Sequence, residues 1–311
     1  MTVAVLAMAY GTPSSPDDVL SFYTDVRRGR PPSAEQLADL ERRYLAIGGI
    51  SPLRERTEAQ IAGLQRALDA RAPGTFATFY GSKHSTPKIE QQIATIASQG
   101  YRELVGLVLA PHYSALSVGE YIERASDAAK AHDIASIFIE RWGTDETFIE
   151  LLAERLGEAI EKIAMQSTNF EVVFSAHSLP ARILEFDDPY PDELAETAGL
   201  VAHTLGLKHY RTGWQSAGRT PDPWLGPDLL VLFEQLQGER FDGVVVCPAG
   251  FTSDHLEVLY DLDIEASNRA RDLGMAFVRT RSLNDDAKMA DLLAVRIIAA
   301  ENMLHRSDRP K

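Results

Sequence analysis

One histidine stands where a buried strand is expected to end. His177 follows the apolar segment 172–176 and precedes Ser-Leu-Pro. In open α/β sheets, ligands bind outside the carboxyl ends of the strands. An imidazole, with an ordinary pKa of about 6.5, can accept a proton or ligate a metal there. His177 is therefore a candidate base and metal ligand, and a hydrogen-bonded structural histidine is the alternative.

Three acidic residues recur every four positions in a predicted helix. Glu257, Asp261 and Glu265 follow a strand and a Pro/Gly turn. Their spacing places them on one helix face with roughly 80° of drift, which a π-type bulge would reduce. Carboxylates in a row can replace the waters of a dication. Glu257, nearest the strand end, is the candidate ligand beside His177, and a solvated acidic face is the alternative for the other two.

Short β-rich segments alternate with longer segments of helical periodicity along the chain. Such alternation predicts an α/β protein with parallel sheets covered by helices on both faces. A diverged repeat is also visible. Three segments on or near predicted strands resemble three later segments in the same order: 9–13 and 176–180, 82–87 and 216–221, 106–111 and 243–248.

From the repeat we predict two similar doubly wound, Rossmann-like halves with a cleft between them. The first half is expected at 1–143 and carries an extra segment, 20–53, as one lip of the cleft. The second half, 144–311, carries His177 and Glu257, and its last helix could pack back on the first half.

The net charge, the length of the apolar runs and the cysteine count indicate which partners and which cellular compartment to expect. The net charge of −14 argues against general binding to nucleic acids or anionic membranes. Apolar runs fall well short of the roughly 20 residues that a membrane-spanning helix needs, so an integral membrane protein is not expected. With the single cysteine Cys247, the chain cannot build a four-cysteine iron–sulfur cluster. The cytoplasm is the simplest location.

Three motifs resemble those of the ferrochelatases, enzymes that insert Fe²⁺ into a porphyrin. They are Ser-Ala-His-Ser-Leu-Pro at 175–180, the Gly/Pro/Trp-rich segment 213–227, and Gly-Phe-x-x-Asp-His-Leu-Glu at 250–257. The resemblance covers nearly the whole chain. It implies that His177 and Glu257 face each other at the porphyrin centre as metal ligand and proton acceptor. It also implies that Asp261 and Glu265 guide the metal inward.

Segment 8–13 indicates which porphyrin the enzyme uses. Coproporphyrin-type ferrochelatases carry a tyrosine there, as this chain does at Tyr10, whereas protoporphyrin-using relatives generally lack it and tend to have a hydrophobic lip. Here the lip segment 25–32 is basic. The resemblance implies that the following residues contact the porphyrin and its propionates: Tyr10, Arg27, Arg43, Tyr44, Ser51 and Tyr121.

The sequence therefore predicts a ferrochelatase that converts coproporphyrin III to iron-coproporphyrin in haem biosynthesis. Fe²⁺ is expected as a substrate, with no permanently bound cofactor. We expect a monomer that hands its product to a downstream haem-pathway enzyme. The alternatives are a protoporphyrin IX ferrochelatase, a cobalt or nickel chelatase, and a non-catalytic tetrapyrrole carrier.

Overall fold

The computed structural model describes residues 2–218 and 220–307. The chain divides into two compact units. Within the described residues, unit 1 comprises 2–110, 117–141 and 284–307. Unit 2 comprises 111–116, 142–218 and 220–283. The chain therefore enters unit 2 briefly at 111–116, returns to unit 1 for 117–141, forms the rest of unit 2, and ends in unit 1 with its last helix.

Unit 1 is built on a four-stranded parallel sheet of order β2-β1-β3-β4. Every residue of β1 is buried. Its sequence is continuously apolar because helices cover both faces of a parallel sheet. The strands are β1 (Val3–Ala9), β2 (Phe76–Ser82), β3 (Glu103–Val108) and β4 (Ala135–Ile139). The helices are α1 (Val19–Val26), α2 (Ala34–Ala46), α3 (Leu53–Arg71), α4 (Ile89–Ser98), α5 (Val118–Ala131) and α11 (Ala287–Ser307).

Unit 2 repeats the same plan with a sheet of order β6-β5-β7-β8. Its strands are β5 (Phe170–His177), β6 (Arg211–Gln215), β7 (Gly243–Cys247) and β8 (Ala276–Arg279). Its α-helices are α6 (Glu146–Ala164), α7 (Tyr190–Leu205), α8 (Leu229–Gly238), α9 (Leu256–Leu259) and α10 (Ser267–Asp272).

The two sheets have the same strand order, and each pair of similar sequence segments lies on or directly after equivalent strands. The predicted fold class, two doubly wound parallel-sheet halves, is confirmed. The extra segment 20–53 contains most of α1 and all of α2. Helix α2 starts in a capping box, in which Ser33 and Gln36 satisfy each other's main-chain N–H groups.

A π-helix, Asp261–Ala266, lies between α9 and α10. The helix predicted to carry Glu257, Asp261 and Glu265 is therefore three consecutive helical segments. The wider π turn rotates each residue by less than an α turn does, which offsets the drift of side chains spaced four apart. Among the described residues, no helix has the length and apolar character needed to cross a bilayer.

A buried histidine, His112, lies at the junction after β3. Its side chain is 2% exposed, and its Nε2 lies 2.9 Å from the Thr197 hydroxyl. Thr197 donates to the carbonyl of Gly143 at 2.9 Å, so its oxygen accepts from His112, which must carry its hydrogen on Nε2. Burial lowers the pKa of His112 to about 3.

This burial predicts acid destabilisation. Between pH 6.5 and about 3 the unfolded chain protonates His112 and the native protein does not, so stability falls as pH falls. Replacing His112 with glutamine should remove roughly 1.4 kcal/mol per pH unit from that slope. Urea titrations at several pH values measure it. The same change at the exposed His132 is the control, and equal slopes in both variants would contradict the prediction.

Candidate active site

His177 is the last residue of β5, and the fold delivers it to the sheet edge. The residues before it are buried, so the strand is anchored up to Ala176. The main-chain oxygen of His177 accepts a hydrogen bond from the Tyr190 hydroxyl at 3.0 Å. Its Nδ1 donates to the carbonyl of Ser178. A carbonyl can only accept, so Nδ1 carries a hydrogen and Nε2 is directed to the site.

Glu257 meets this imidazole from the first turn of α9. Its Oε1 lies 3.4 Å from His177 Nε2, and each side chain is 32% exposed. Burial disfavours charge on His177, yet the Glu257 carboxylate and the Ser178 carbonyl raise the pKa of His177 to about 9. Burial alone would raise the pKa of Glu257, but His177 and then His255 lower it. At neutral pH the pair is therefore an imidazolium and a carboxylate.

His255 is a site residue that the sequence analysis missed. Its Nε2 lies 3.5 Å from Glu257 Oε2, and its Nδ1 donates to the Ser253 carbonyl at 2.9 Å. His255 precedes α9 with an extended backbone, φ −156°, so it does not follow the helical spacing used to select candidates. The signal was its position two residues before Glu257. Two imidazoles thus approach opposite oxygens of one carboxylate.

Asp261 and Glu265 follow Glu257 along the same helical path. Asp261 is 7% exposed, and its Oδ2 accepts a hydrogen bond from the Ser216 hydroxyl. An ordinary solvated face would not bury this carboxylate. Glu265 is half-buried within the π-helix. Their predicted role in guiding metal remains a prediction.

Tyr10 directly follows β1. In the repeat, which aligns 9–13 with 176–180, Tyr10 corresponds to His177 at the end of β5. Its side chain is 42% exposed. The ring packs edge-on against His84 at 4.6 Å and Phe22 at 6.3 Å between centroids. Helix α1 and the loop after β2 therefore set the orientation of the phenol.

A charged group that the sequence analysis did not predict holds His84. The Asp25 carboxylate lies 2.8 Å from His84 Nδ1 and 2.6 Å from Lys88 Nζ. Burial lowers the pKa of His84 to about 4, so at neutral pH its Nδ1–H donates to Asp25. These contacts tie α1 of the extra segment to the loop beside Tyr10.

The remaining predicted porphyrin contacts also lie in unit 1. Arg27 donates to the Arg30 carbonyl at 3.2 Å and lies 5.7 Å from the Tyr23 ring centre. Arg43 pairs with Asp39 at 3.1 Å. Buried side chains are found at Tyr44, Ser51 and Tyr121. The structure places these residues without testing their contacts to a porphyrin.

A buried lysine lies above the Tyr121 ring. Lys83 Nζ is 4.8 Å from the ring centre and 2.7 Å from the Glu120 carboxylate. Burial lowers the pKa of Lys83, against the effect of Glu120. Burial also raises the pKa of Tyr121, so the Tyr121 phenol keeps its proton.

The donors at His177 and Glu257 suit a partial metal site. Within residues 2–218 and 220–307, no group of three or more His, Cys, Asp or Glu side chains could hold a metal. One imidazole and one carboxylate leave most positions of a dication open. Such a site fits a metal that is bound in passing and released.

The family model described as Ferrochelatase matches residues 2–301. The coproporphyrin III ferrochelatase of Listeria innocua is 43% identical over 295 residues, covering 94% of this chain and 96% of that protein. The ferrochelatase of Herpetosiphon aurantiacus is 42% identical over 294 residues, covering 93% and 96%. Each comparison spans both units.

Solved structures bear on the fold. The cobalt complex of the sirohydrochlorin chelatase SirB from Bacillus subtilis subspecies spizizenii aligns with a TM-score of 0.57 at 15% identity, covering 97% of each chain. CbiX, described as the terminal enzyme of sirohaem biosynthesis in denitrifying bacteria, aligns with a TM-score of 0.54 at 13% identity, covering 96% of this chain and 99% of that one. At such low identity they show the shared fold alone. The family match over 300 residues and the relatives at 43% and 42% identity show more: this chain belongs to the ferrochelatase family.

Proposed function

We propose that this chain inserts Fe²⁺ into coproporphyrin III and so produces iron-coproporphyrin in haem biosynthesis. The observation that carries the proposal is the 3.4 Å approach of His177 Nε2 to Glu257 Oε1 in a member of the ferrochelatase family. The choice of porphyrin is supported by the name of the relative from Listeria innocua, a coproporphyrin III ferrochelatase.

Proton transfer is the first task of the His177–Glu257 pair. A porphyrin releases two pyrrole protons when iron enters, and a base must accept them. The pair already holds one proton on His177 at neutral pH. An approaching dication lowers the pKa of a neighbouring imidazolium, so His177 first gives this proton to solvent water. Neutral His177 then takes the two pyrrole protons one after the other, passing the first to solvent water and keeping the second. Glu257 stays ionised throughout and stabilises the imidazolium that forms again.

Handling the metal is the second task. Imidazole nitrogen and carboxylate oxygen are suitable ligands for a borderline ion such as Fe²⁺. We infer that His177 and Glu257 bind iron briefly, while Asp261 and Glu265 lead it inward. The burial of Asp261 beside Ser216 supports a carboxylate held in a fixed position.

Porphyrin binding is assigned to unit 1. Guanidinium–carboxylate pairs can be bidentate and charge-assisted, so we propose that Arg27 and Arg43 receive propionates. For Arg43 this means exchanging or sharing the Asp39 contact. Tyr10 would approach the iron, and Tyr44, Ser51 and Tyr121 would complete the porphyrin contacts.

We further propose a cytoplasmic monomer without a permanently bound cofactor that passes its product to a later haem-pathway enzyme. The single cysteine, Cys247, is buried, and burial raises the pKa of its thiol to about 12. A buried thiol with a raised pKa is unreactive. We therefore propose that Cys247 takes no part in the reaction.

Anaerobic incubation with Fe²⁺ and either porphyrin tests the proposal. Coproporphyrin III should be metallated far faster than protoporphyrin IX, because each additional charge-assisted propionate contact can contribute about 1.5–3 kcal/mol. That corresponds to roughly tenfold or more in selectivity per contact. Initial rates by absorbance, with both porphyrins at equal concentration, measure the ratio.

Two outcomes separate the alternatives. Equal rates with both porphyrins would exclude the coproporphyrin preference, and binding without turnover would identify a carrier. Arg27→Ala and Arg43→Ala should weaken coproporphyrin binding more than protoporphyrin binding. Arg66→Ala, at an exposed position of α3, is the matched control for loss of one arginine.

A further inference from the structure

The last residue of β6, Gln215, lies beside both candidate catalytic residues. In the register of the sheet, Gln215 is paired with His177. Its main-chain oxygen accepts a hydrogen bond from the N–H of Ser178 at 2.7 Å. The main chain of Gln215 thus fixes the segment from which the His177 imidazole projects.

The side chain of Gln215 reaches the other half of the site. It is 3% exposed, its Oε1 accepts from the Ser175 hydroxyl at 2.8 Å, and its Nε2 donates to the main-chain oxygen of Glu257 at 2.9 Å. A carbonyl oxygen can only accept, so the orientation of the amide is determined by chemistry. One buried amide therefore bridges β5 and the first turn of α9.

Helix α9 is a single short turn, and Val258 packs it into the core of unit 2. It spans only Leu256–Leu259, and its N-cap residue, His255, makes no side-chain capping bond. The Glu257 carbonyl lies shortly before the α-helix gives way to the π-helix. The hydrogen bond from the Gln215 side chain at this point fixes the position of the Glu257 main chain relative to β5, the strand that carries His177.

Ser216 makes a second contact with the same helical path. Its backbone is in the left-handed region, with φ 62°, and its hydroxyl donates to Asp261. Gln215 and Ser216 are therefore consecutive residues that contact successive turns of the acidic helix.

We propose that Gln215 is a positioning residue, which sets the separation of His177 and Glu257 through the Glu257 main chain. The inference rests on the proposed function, since it assigns that pair the iron-insertion step. Gln215 itself donates no proton and binds no metal in this account. Its effect is on the geometry of the two side chains that do.

The test replaces Gln215 with methionine, which keeps the length of the side chain and removes both hydrogen bonds. Misplacing a catalytic group by about 1 Å can cost on the order of a hundredfold in rate. We therefore expect kcat for iron insertion to fall by roughly that factor, while the KM for coproporphyrin III stays near that of the unmodified protein. Steady-state kinetics under anaerobic conditions separate the two constants.

Gln65→Met is the matched control. Gln65 also bridges main-chain groups: it accepts from the N–H of Thr78 at 2.8 Å and donates to the carbonyl of Phe76 at 3.1 Å. Those contacts join α3 to β2 in unit 1. Chemical denaturation of both variants shows whether they lose similar stability. A kcat in Gln215→Met no lower than in Gln65→Met would overturn the proposal.

Two further measurements keep the test decisive. If Gln215→Met does not fold, Gln215→Glu takes its place, because it keeps the acceptor for Ser175 and loses the donor to Glu257. A crystal structure of the variant should show the His177–Glu257 separation changed from 3.4 Å, and an unchanged separation would overturn the proposal. If the unmodified chain inserts no iron, the proposed function fails, and this structural comparison still judges the role of Gln215.

Discussion

Replacing His177 with alanine is expected to bring iron insertion close to the background rate. The variant loses the proposed base and one proposed metal ligand, and a positioned general base alone is worth roughly 10²–10⁴-fold. Porphyrin binding should persist, because the residues proposed to hold the ring are in unit 1. Fluorescence quenching of the bound porphyrin measures binding, and anaerobic absorbance measures turnover.

The control is His209→Ala, at an exposed position after α7. It should match the unmodified protein in both assays. Turnover near normal in His177→Ala would remove the histidine from the mechanism. A parallel loss of porphyrin binding would assign His177 to the substrate site instead.

The second large effect is expected at Glu257. Glutamine keeps the shape of the side chain and loses its charge, so Glu257→Gln should lower kcat by roughly a hundredfold. The same change removes the carboxylate that raises the pKa of His177. NMR titration should therefore find the imidazole pKa well below about 9 in this variant, and His177 should be neutral over more of the physiological range.

The neighbouring carboxylates should behave differently. Asp261→Asn and Glu265→Gln are expected mainly to raise the Fe²⁺ concentration required for half-maximal rate, because these groups are proposed to guide the metal rather than to hold the proton. Glu196→Gln, at an exposed position of α7, controls for loss of one acidic charge. Similar kinetics in all three site variants would exclude a division of labour among them.

The central strands of the two sheets were predictable because they are almost entirely buried. Segments such as 3–9 and 243–247 are uninterrupted apolar runs in the sequence, and the structure buries every residue of both. The repeat in the sequence predicted that the two sheets share one plan, because each pair of similar segments lies on or directly after equivalent strands. His177 could be selected on the same basis, since the end of a buried parallel strand is a position that sequence alone can locate.

The supporting residues of the site were not predictable in this way. His255 precedes its helix in an extended conformation, and the role inferred for Gln215 depends on where β6 and α9 meet. Helical spacing aligned Glu257, Asp261 and Glu265, but it could not place the π-helix at 261–266. The contact of Gln215 with Glu257 joins residues 42 positions apart in the sequence, and periodicity does not encode such contacts.

The order of the units along the chain has a consequence for synthesis. Unit 2 is formed almost entirely by the segment from 142 to 283, whereas α11 of unit 1 emerges only after it. Helix α11 packs on α3 and β4, where its Met289 and Ile297 are buried. On the ribosome, where domains fold as units in the order of their synthesis, the His177-bearing unit can therefore complete its core first. Unit 1, which contains Tyr10, begins earlier in the chain. Part of its apolar surface nevertheless stays exposed until α11 has been synthesised and can cover it.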